Sequence, residues 1–195
     1  MDGLERILIE RIKDAILRCQ KENIYCMSIT ARMVEKVIPV NDIWAATEIT
    51  IQFNSEDDVT DVELDSEARW NTAFWDSSEE FIVVDSCSQK DNDTVNSWLK
   101  EKGVQKIGYE DSNLAYNDRY EYIGNGPNGY CELIGLLADI VRILQEEVIF
   151  EKFGNIPVII HDYDYSRVTL EVTCKINNKK LISDFCAWIE KEGKM

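Results

Sequence analysis

His161 is the only histidine in the chain, so any reaction scheme that needs an imidazole must be built on it. It opens the run His161-Asp162-Tyr163-Asp164, which has the residue types of a metal cluster. Zinc would need partners for His161, and the chain offers no second histidine. The six cysteines, at 19, 26, 87, 131, 174 and 186, form no C-x-x-C pair. A calcium loop starting at Asp162 would need Gly at its sixth position and Glu at its twelfth. Those positions hold Arg167 and Thr173. A Ser-His-Asp or Cys-His nucleophile would again have to use His161, and there is no G-x-S-x-G elbow. With 37 acidic residues, two carboxylates close in sequence say nothing about an acid–base pair. The expectation is a non-enzymatic chain with no catalytic residues, no metal and no cofactor.

The second constellation is Gly124-Asn125-Gly126-Pro127-Asn128-Gly129, which matches G-x-G-x-x-G and precedes a helical pattern. In a dinucleotide-binding loop these glycines let the backbone approach a pyrophosphate at a helix N-terminus. Here the preceding segment, Tyr120 to Ile123, is a poor buried strand, and no acidic residue ends a second strand about 20 residues on. Gly-Pro-Asn-Gly also suits a β-turn, with Pro at i+1 and Asn at i+2. The turn reading leads. A small-ligand or nucleotide-binding module, with or without enzymatic activity, is the alternative function.

The third is the acidic tract Glu56 to Glu67, followed by Arg69-Trp70 and Phe74-Trp75. Dense like charge repels itself and predicts an exposed loop. Aromatic residues rimmed by acid would suit a basic, partly apolar protein. Asp57, Asp58, Asp61, Glu63, Trp70 and Trp75 are therefore the candidate partner-binding residues. The competing reading is that the two indoles anchor the loop to the core. The net charge of −16 argues the same way about partners. It disfavours nucleic acid, which demands a basic footprint, and an anionic membrane surface. It would steer in a basic protein, and it is also what solubility alone requires. A homo-oligomer stays open.

These residues must be carried by elements. From Tyr130 to Phe153, Leu133, Leu136, Leu137, Ile140, Val141, Leu144 and Val148 recur at three- and four-residue spacing. Ile134, Ile143 and Ile149 widen the stripe, which predicts a core helix covered on two sides. Asp139, Arg142, Glu146 and Glu147 are too many charges for a membrane span. Gly154 and Pro157 stop it. Ile156 to Ile160 then predicts a strand. Val168, Leu170, Val172 and Cys174 alternate with polar residues and predict a second, antiparallel to the first. Upstream, Asp2 and Glu5 are spaced as a capping box for a helix to about Gln20. Tyr25 to Thr30 and Glu48 to Phe53 alternate as strands. Arg32 to Ala46, interrupted by Pro39, is ambiguous. Phe81 to Val84 is a short apolar run, a strand or the start of a helix. Helices are predicted over 94–102 and about 178–192. The sum is one α+β domain over residues 1–195. A mixed or antiparallel sheet is packed by the long helix and flanking N- and C-terminal helices. A charged N-terminus without an apolar signal core and without a disulfide framework predicts a cytoplasmic protein with free thiols.

The Arg69-Trp70-x4-Trp75 run sits after two predicted strands and before the long helix and the strand Ile156 to Ile160. This arrangement resembles a group of uncharacterised bacterial domains with a mid-chain Trp-x4-Trp signature. That family has an acidic residue before its second Trp, where this chain has Phe74. The resemblance implies a single α+β cytoplasmic domain with no assigned chemistry. In general character the chain is also similar to immunity proteins of polymorphic toxin systems, which implies an inhibitor of a basic toxin.

Overall fold

The computed structural model describes residues 3–59, 62–76, 80–109, 117–119, 126–162 and 165–193. Helix α1 (Gly3–Arg18) buries Leu4, Leu8, Ile12, Ala15 and Ile16 along one stripe. Asp2 of the expected capping box lies outside the described residues. Strands β1 (Ile24–Val40) and β2 (Ile43–Ser55) follow as one long antiparallel hairpin. The 3₁₀ turn Glu56–Asp58 and the short helix α2 (Glu67–Trp70) carry the acidic tract. Next come β3 (Phe81–Val84) and α3 (Gln89–Glu101). The long helix is α4 (Tyr130–Leu144), continued by a π-helical turn (Gln145–Ile149) and α5 (Phe150–Phe153). Strand β4 (Val158–His161) and helices α6 (Arg167–Ile176) and α7 (Ser183–Lys191) complete the chain.

The four strands form one mixed sheet in the order β3-β2-β1-β4. β1 is antiparallel to β2 and parallel to β4. One face carries Met27, Ile29, Ile49, Ile51, Phe53, Val158 and Ile160 into the main core. α1 and α4 supply the opposing layer, with Leu133, Leu137, Ile140, Val141 and Leu144 buried. This is the α+β architecture that the patterning predicts. Arg11 ties α1 to its neighbours by a two-pronged ion pair with Asp91 of α3 (2.8 and 2.9 Å) and a hydrogen bond to the Val83 carbonyl (2.6 Å).

Two expectations fail. Residues 168–174 are helix α6, and β4 takes β1 as a parallel partner rather than a following strand. The reason is what α6 covers. β4 is the last strand of the sheet, so its outer backbone groups need partners. Thr173 Oγ1 accepts from the Ile160 amide (3.0 Å) and donates to the Ile160 carbonyl (3.2 Å). Asn177, just past the helix, accepts from the Val158 amide (2.9 Å) and donates to its carbonyl (2.7 Å). The inward stripe of α6 is thus partly polar, Thr169 and Thr173 beside Leu170 and Ile176. Ser166 caps its first turn. A polar inward stripe leaves the exposed Val168 and Cys174 to imitate a strand's alternation.

The ambiguous stretch around Pro39 also resolves. β1 runs through it, and Asn41 and Asp42 reverse the chain with φ of 52° and 60°. Two consecutive left-handed residues make the tight turn that suits a twisted hairpin. Pro39 sits where the β1–β2 register jumps between Glu35 and Val40, so no ladder hydrogen bond is lost to it.

Candidate functional site

The acidic tract begins where the hairpin ends. Ser55 caps the 3₁₀ turn through its hydroxyl, which accepts from the Asp57 amide. Glu56, Asp57 and Asp58 are exposed but engaged. Glu56 pairs with both terminal nitrogens of Arg69. Lys21 donates to Asp58 (2.9 Å), and the Asn23 amide donates to Asp57 (3.1 Å). Glu63 is exposed. Asp61 lies outside the described residues.

Trp70 and Trp75 do not line that surface. They are 3% and 5% exposed and belong to a second core on the sheet's other face, with Tyr25, Ile159, Leu170, Phe185 and Trp188. The indole of Trp70 donates to the Leu64 carbonyl (2.6 Å) and that of Trp75 to the Arg69 carbonyl (3.1 Å). Tyr25 donates to the same carbonyl (2.6 Å) while accepting from Asn54 (2.6 Å). The Arg69 guanidinium stacks on the Tyr25 ring at 3.8 Å. These aromatics anchor the loop, as buried indoles with satisfied N–H groups do. The two rings are thereby removed from the surface a partner would meet, which corrects their place among the candidate contacts.

The opposite end of the hairpin is different. β4 pairs with β1 only over Met27 to Thr30, and β3 pairs with β2 only over Ile49 to Ile51. Beyond those points the hairpin continues as a two-stranded arm. Along β2 it is steadied by Trp44, whose amide donates to the Ile107 carbonyl (2.7 Å). Gly108 packs so closely there that a Cβ would lie 2.5 Å from that of Ala45. Val37, Ile38 and Val40, on β1, are 81%, 78% and 59% exposed. Sequence reasoning missed them because this stretch did not show a readable strand. The signal that could have found them is four β-branched residues, Val34, Val37, Ile38 and Val40, ahead of the turn pair Asn-Asp.

A third feature lies beside β1 just past the end of β4. A cavity of about 440 Å³ is lined by Arg32, Tyr109, Pro127, Tyr130, Asp162 and Ser166, among others. Of the Gly-rich run only Pro127 lines this cavity; Gly124 and Asn125 lie outside the described residues. The turn closes one residue later than Gly-Pro-Asn-Gly predicts, with the Tyr130 amide donating to the Pro127 carbonyl (3.2 Å). Gly129, at φ 94°, supplies its left-handed position. Tyr130 donates to Asp162 (3.1 Å), and burial, then the Asp162 charge, push its phenol well above the usual range. Arg32 is already paired with Glu48.

His161 sits just behind, 2% exposed. Its Nδ1 donates to the Asp162 carbonyl, an acceptor-only group, so its Nε2 accepts from the Ser28 hydroxyl (2.7 Å). Burial pushes its pKa down to about 4, so it is neutral near pH 7. It locks β4 to β1. Tyr163 and Asp164 of the same run lie outside the described residues. Among the described residues no cluster of His, Cys, Asp or Glu is placed to hold a metal ion, and no helix is long and apolar enough to cross a membrane. No protein-family model, curated protein or solved structure matches this chain.

Proposed function

We propose that this chain is a protein-binding domain without catalytic activity, an immunity-type inhibitor acting in the cytoplasm on a basic toxin. The observation that carries the reading is the hairpin arm, with Val37, Ile38 and Val40 exposed beyond the last paired residues of the sheet. Soluble chains leave apolar β-branched residues exposed on a strand edge mainly where another chain covers them. A partner can extend the arm by main-chain pairing along β1 and bury those side chains. The −16 charge selects a basic partner and speeds its approach. Asp57, Asp58 and Glu63 contribute to that field from the far end of the hairpin, and Trp70 and Trp75 only hold the tract in shape.

The test is capture of partners by the purified chain from a bacterial lysate, eluted with a salt ladder and identified by mass spectrometry. A basic protein that leaves at moderate salt, and whose activity the chain then blocks, is the expected result. Recovery of acidic proteins alone, or of further copies of this chain, would overturn it.

A second reading rests on the cavity beside β1 just past the end of β4, whose wall includes Pro127 of the Gly-rich run. Its size suits a small ligand. A thermal-shift screen of nucleotides and sugar phosphates checks it. A true ligand at 100 times its Kd adds about 2.7 kcal/mol of stability. A flat screen removes this reading.

A further inference from the structure

The long helix changes pitch before it ends. The Gln145 amide still donates to the Val141 carbonyl, four residues back, but the Phe150 amide donates to that of Gln145, five back. The extra residue has a packing reason. Leu137, Val141, Leu144 and Val148 are buried, and an unbroken α-helical phase would next turn Glu151 or Lys152 inward. With one residue added, Phe153 packs on the core instead, its ring 5.4 Å from that of Phe53. Lys152 donates to the Leu17 and Cys19 carbonyls, both at 2.8 Å. The π-helical turn thus accounts for Phe153. It does not account for Phe150, whose large ring is 63% exposed.

Phe150 lines a cavity of about 410 Å³, together with Glu146 and Ile149 of the π-helical turn. Ile156, Ile176 and Leu181 add aliphatic surface from the loop before β4, the end of α6 and the turn after it. Gly154 keeps part of the space open. Its φ of 76° and ψ of −154° belong to a region essentially reserved for glycine, and a Cβ there would meet nothing within 4 Å. Among the described residues that line the cavity, Glu146 alone carries a charge. A carboxylate and an exposed aromatic ring beside an aliphatic wall are the groups that hold an ammonium ion with an apolar tail. An anion would meet Glu146 with no counter-charge, and a neutral hydrocarbon would desolvate that carboxylate without pairing it. We propose that this cavity is a binding site for a small organic cation, an alkyl- or arylalkylammonium ion. Its head pairs with Glu146 against the Phe150 ring, and its tail covers the aliphatic wall. The site shares no residue with the arm or with the cavity beside β1, so its occupancy is independent of both proposed functions.

The test titrates phenethylammonium chloride into the full, isotope-labelled chain and follows the backbone amides by NMR. Phenylacetate and phenethyl alcohol serve as the anionic and neutral counterparts. The expected result is a saturable shift centred on Gly154, Asn155 and Asn178 for the ammonium ion alone. Glu146→Gln should raise the Kd by about tenfold. Phe150→Leu, which keeps apolar surface and removes the π face, should raise it by about threefold. Glu147→Gln removes the same charge one residue away, outside the cavity lining, and should leave the Kd within about twofold. All three side chains are exposed, so the variants should keep the thermal midpoint of the wild type. No saturable shift, shifts centred elsewhere, or equal binding of phenylacetate or the alcohol would overturn the proposal. So would an equal loss in Glu146→Gln and Glu147→Gln, which would mean that net charge alone attracts the cation.

Discussion

The two ends of the β1–β2 hairpin are finished in opposite ways. Flanking strands hold the middle of the hairpin, over Met27–Thr30 and Ile49–Ile51, and the Ile24–Ser55 end beyond them is roofed. Arg69 stacks on Tyr25 and pairs with Glu56, and Trp70 and Trp75 seal the space between the loop and α7. At the Val40–Ile43 end the pairing strands have stopped, and apolar side chains stand in solvent. Charge is abundant at the first end, where Leu64 and Phe74 are also exposed, while the exposed β-branched residues of a free strand are at the second. Exposed acids that already hold a lysine, an arginine or an amide have little further enthalpy to offer a partner, although they still set the long-range field. The difference separates steering from contact.

The sharpest way to break this comparison is at the roofed end. Trp70→Ala removes a side chain in edge contact with Tyr25 and Phe185 (5.8 and 5.7 Å between centroids). It also strands the Leu64 carbonyl that the indole satisfies. The expected loss is about 3–5 kcal/mol, read from the urea midpoint. A variant that keeps its midpoint while losing a partner would return Trp70 to the binding surface and reverse the assignment of the two ends.

Next in size is the lock in the middle of the hairpin. His161 has its pKa depressed from 6.5 to about 4, so the unfolded chain takes up a proton that the native chain refuses. Stability from this group is whole above about pH 6.5. It falls as the pH drops through the window from 6.5 to about 4, and is constant below. The span amounts to about 3 kcal/mol. Its measure is the difference in pH dependence between wild type and His161→Gln, which cancels the carboxylates that titrate in the same range. Equal slopes would show that the imidazole is not held neutral against Ser28.

Legibility in the sequence follows the same division. The long helix and α1 follow from apolar spacing because they face an apolar core, whereas the short apolar run Phe81–Val84 leaves strand and helix equally open. Gly154, at φ 76°, ends the long helix where the sequence puts the stop. α6 escapes because its inward residues include Thr169 and Thr173, matched to a strand's backbone instead of to hydrocarbon. The arm escapes because Pro39 and a non-glycine turn disguise a continuous strand. The ion pairs are invisible for a different reason. Lys21 and Asp58 are 37 residues apart, so only the closed hairpin brings them together. Like charge in a row predicts an exposed tract, and it says nothing of which acids already have partners.

A smaller effect is expected at the tip. Asn41 and Asp42 both hold positive φ, a conformation that costs an L-residue about 1–2 kcal/mol, less for Asn and Asp. Asp42→Gly relieves the second of them but adds freedom to the unfolded chain. The net should be a gain below about 1 kcal/mol in thermal or urea unfolding. A loss would mean that the Asp42 side chain makes a contact worth more than the strain.

The smallest change in stability, and the largest in function, belongs to Val37 and Ile38. Thr has nearly the β-propensity of Val and Ile, so the double variant Val37→Thr/Ile38→Thr preserves the strand. Both side chains are already four-fifths in water, so folding should change by no more than about 0.5 kcal/mol. A docked partner would bury them, and each fully buried aliphatic side chain is worth about 1.5–3 kcal/mol. Replacing both with hydroxyl-bearing residues should therefore weaken capture by at least tenfold, since about 1.4 kcal/mol is tenfold in affinity. The loss should appear in the off-rate, because the steering charges are untouched. Charge reversal at Asp57 and Asp58 is the mirror experiment, slowing the on-rate and leaving the off-rate alone. If the threonine variant binds as wild type does and the charge reversal abolishes capture, contact lies at the acidic end and the arm is a bystander.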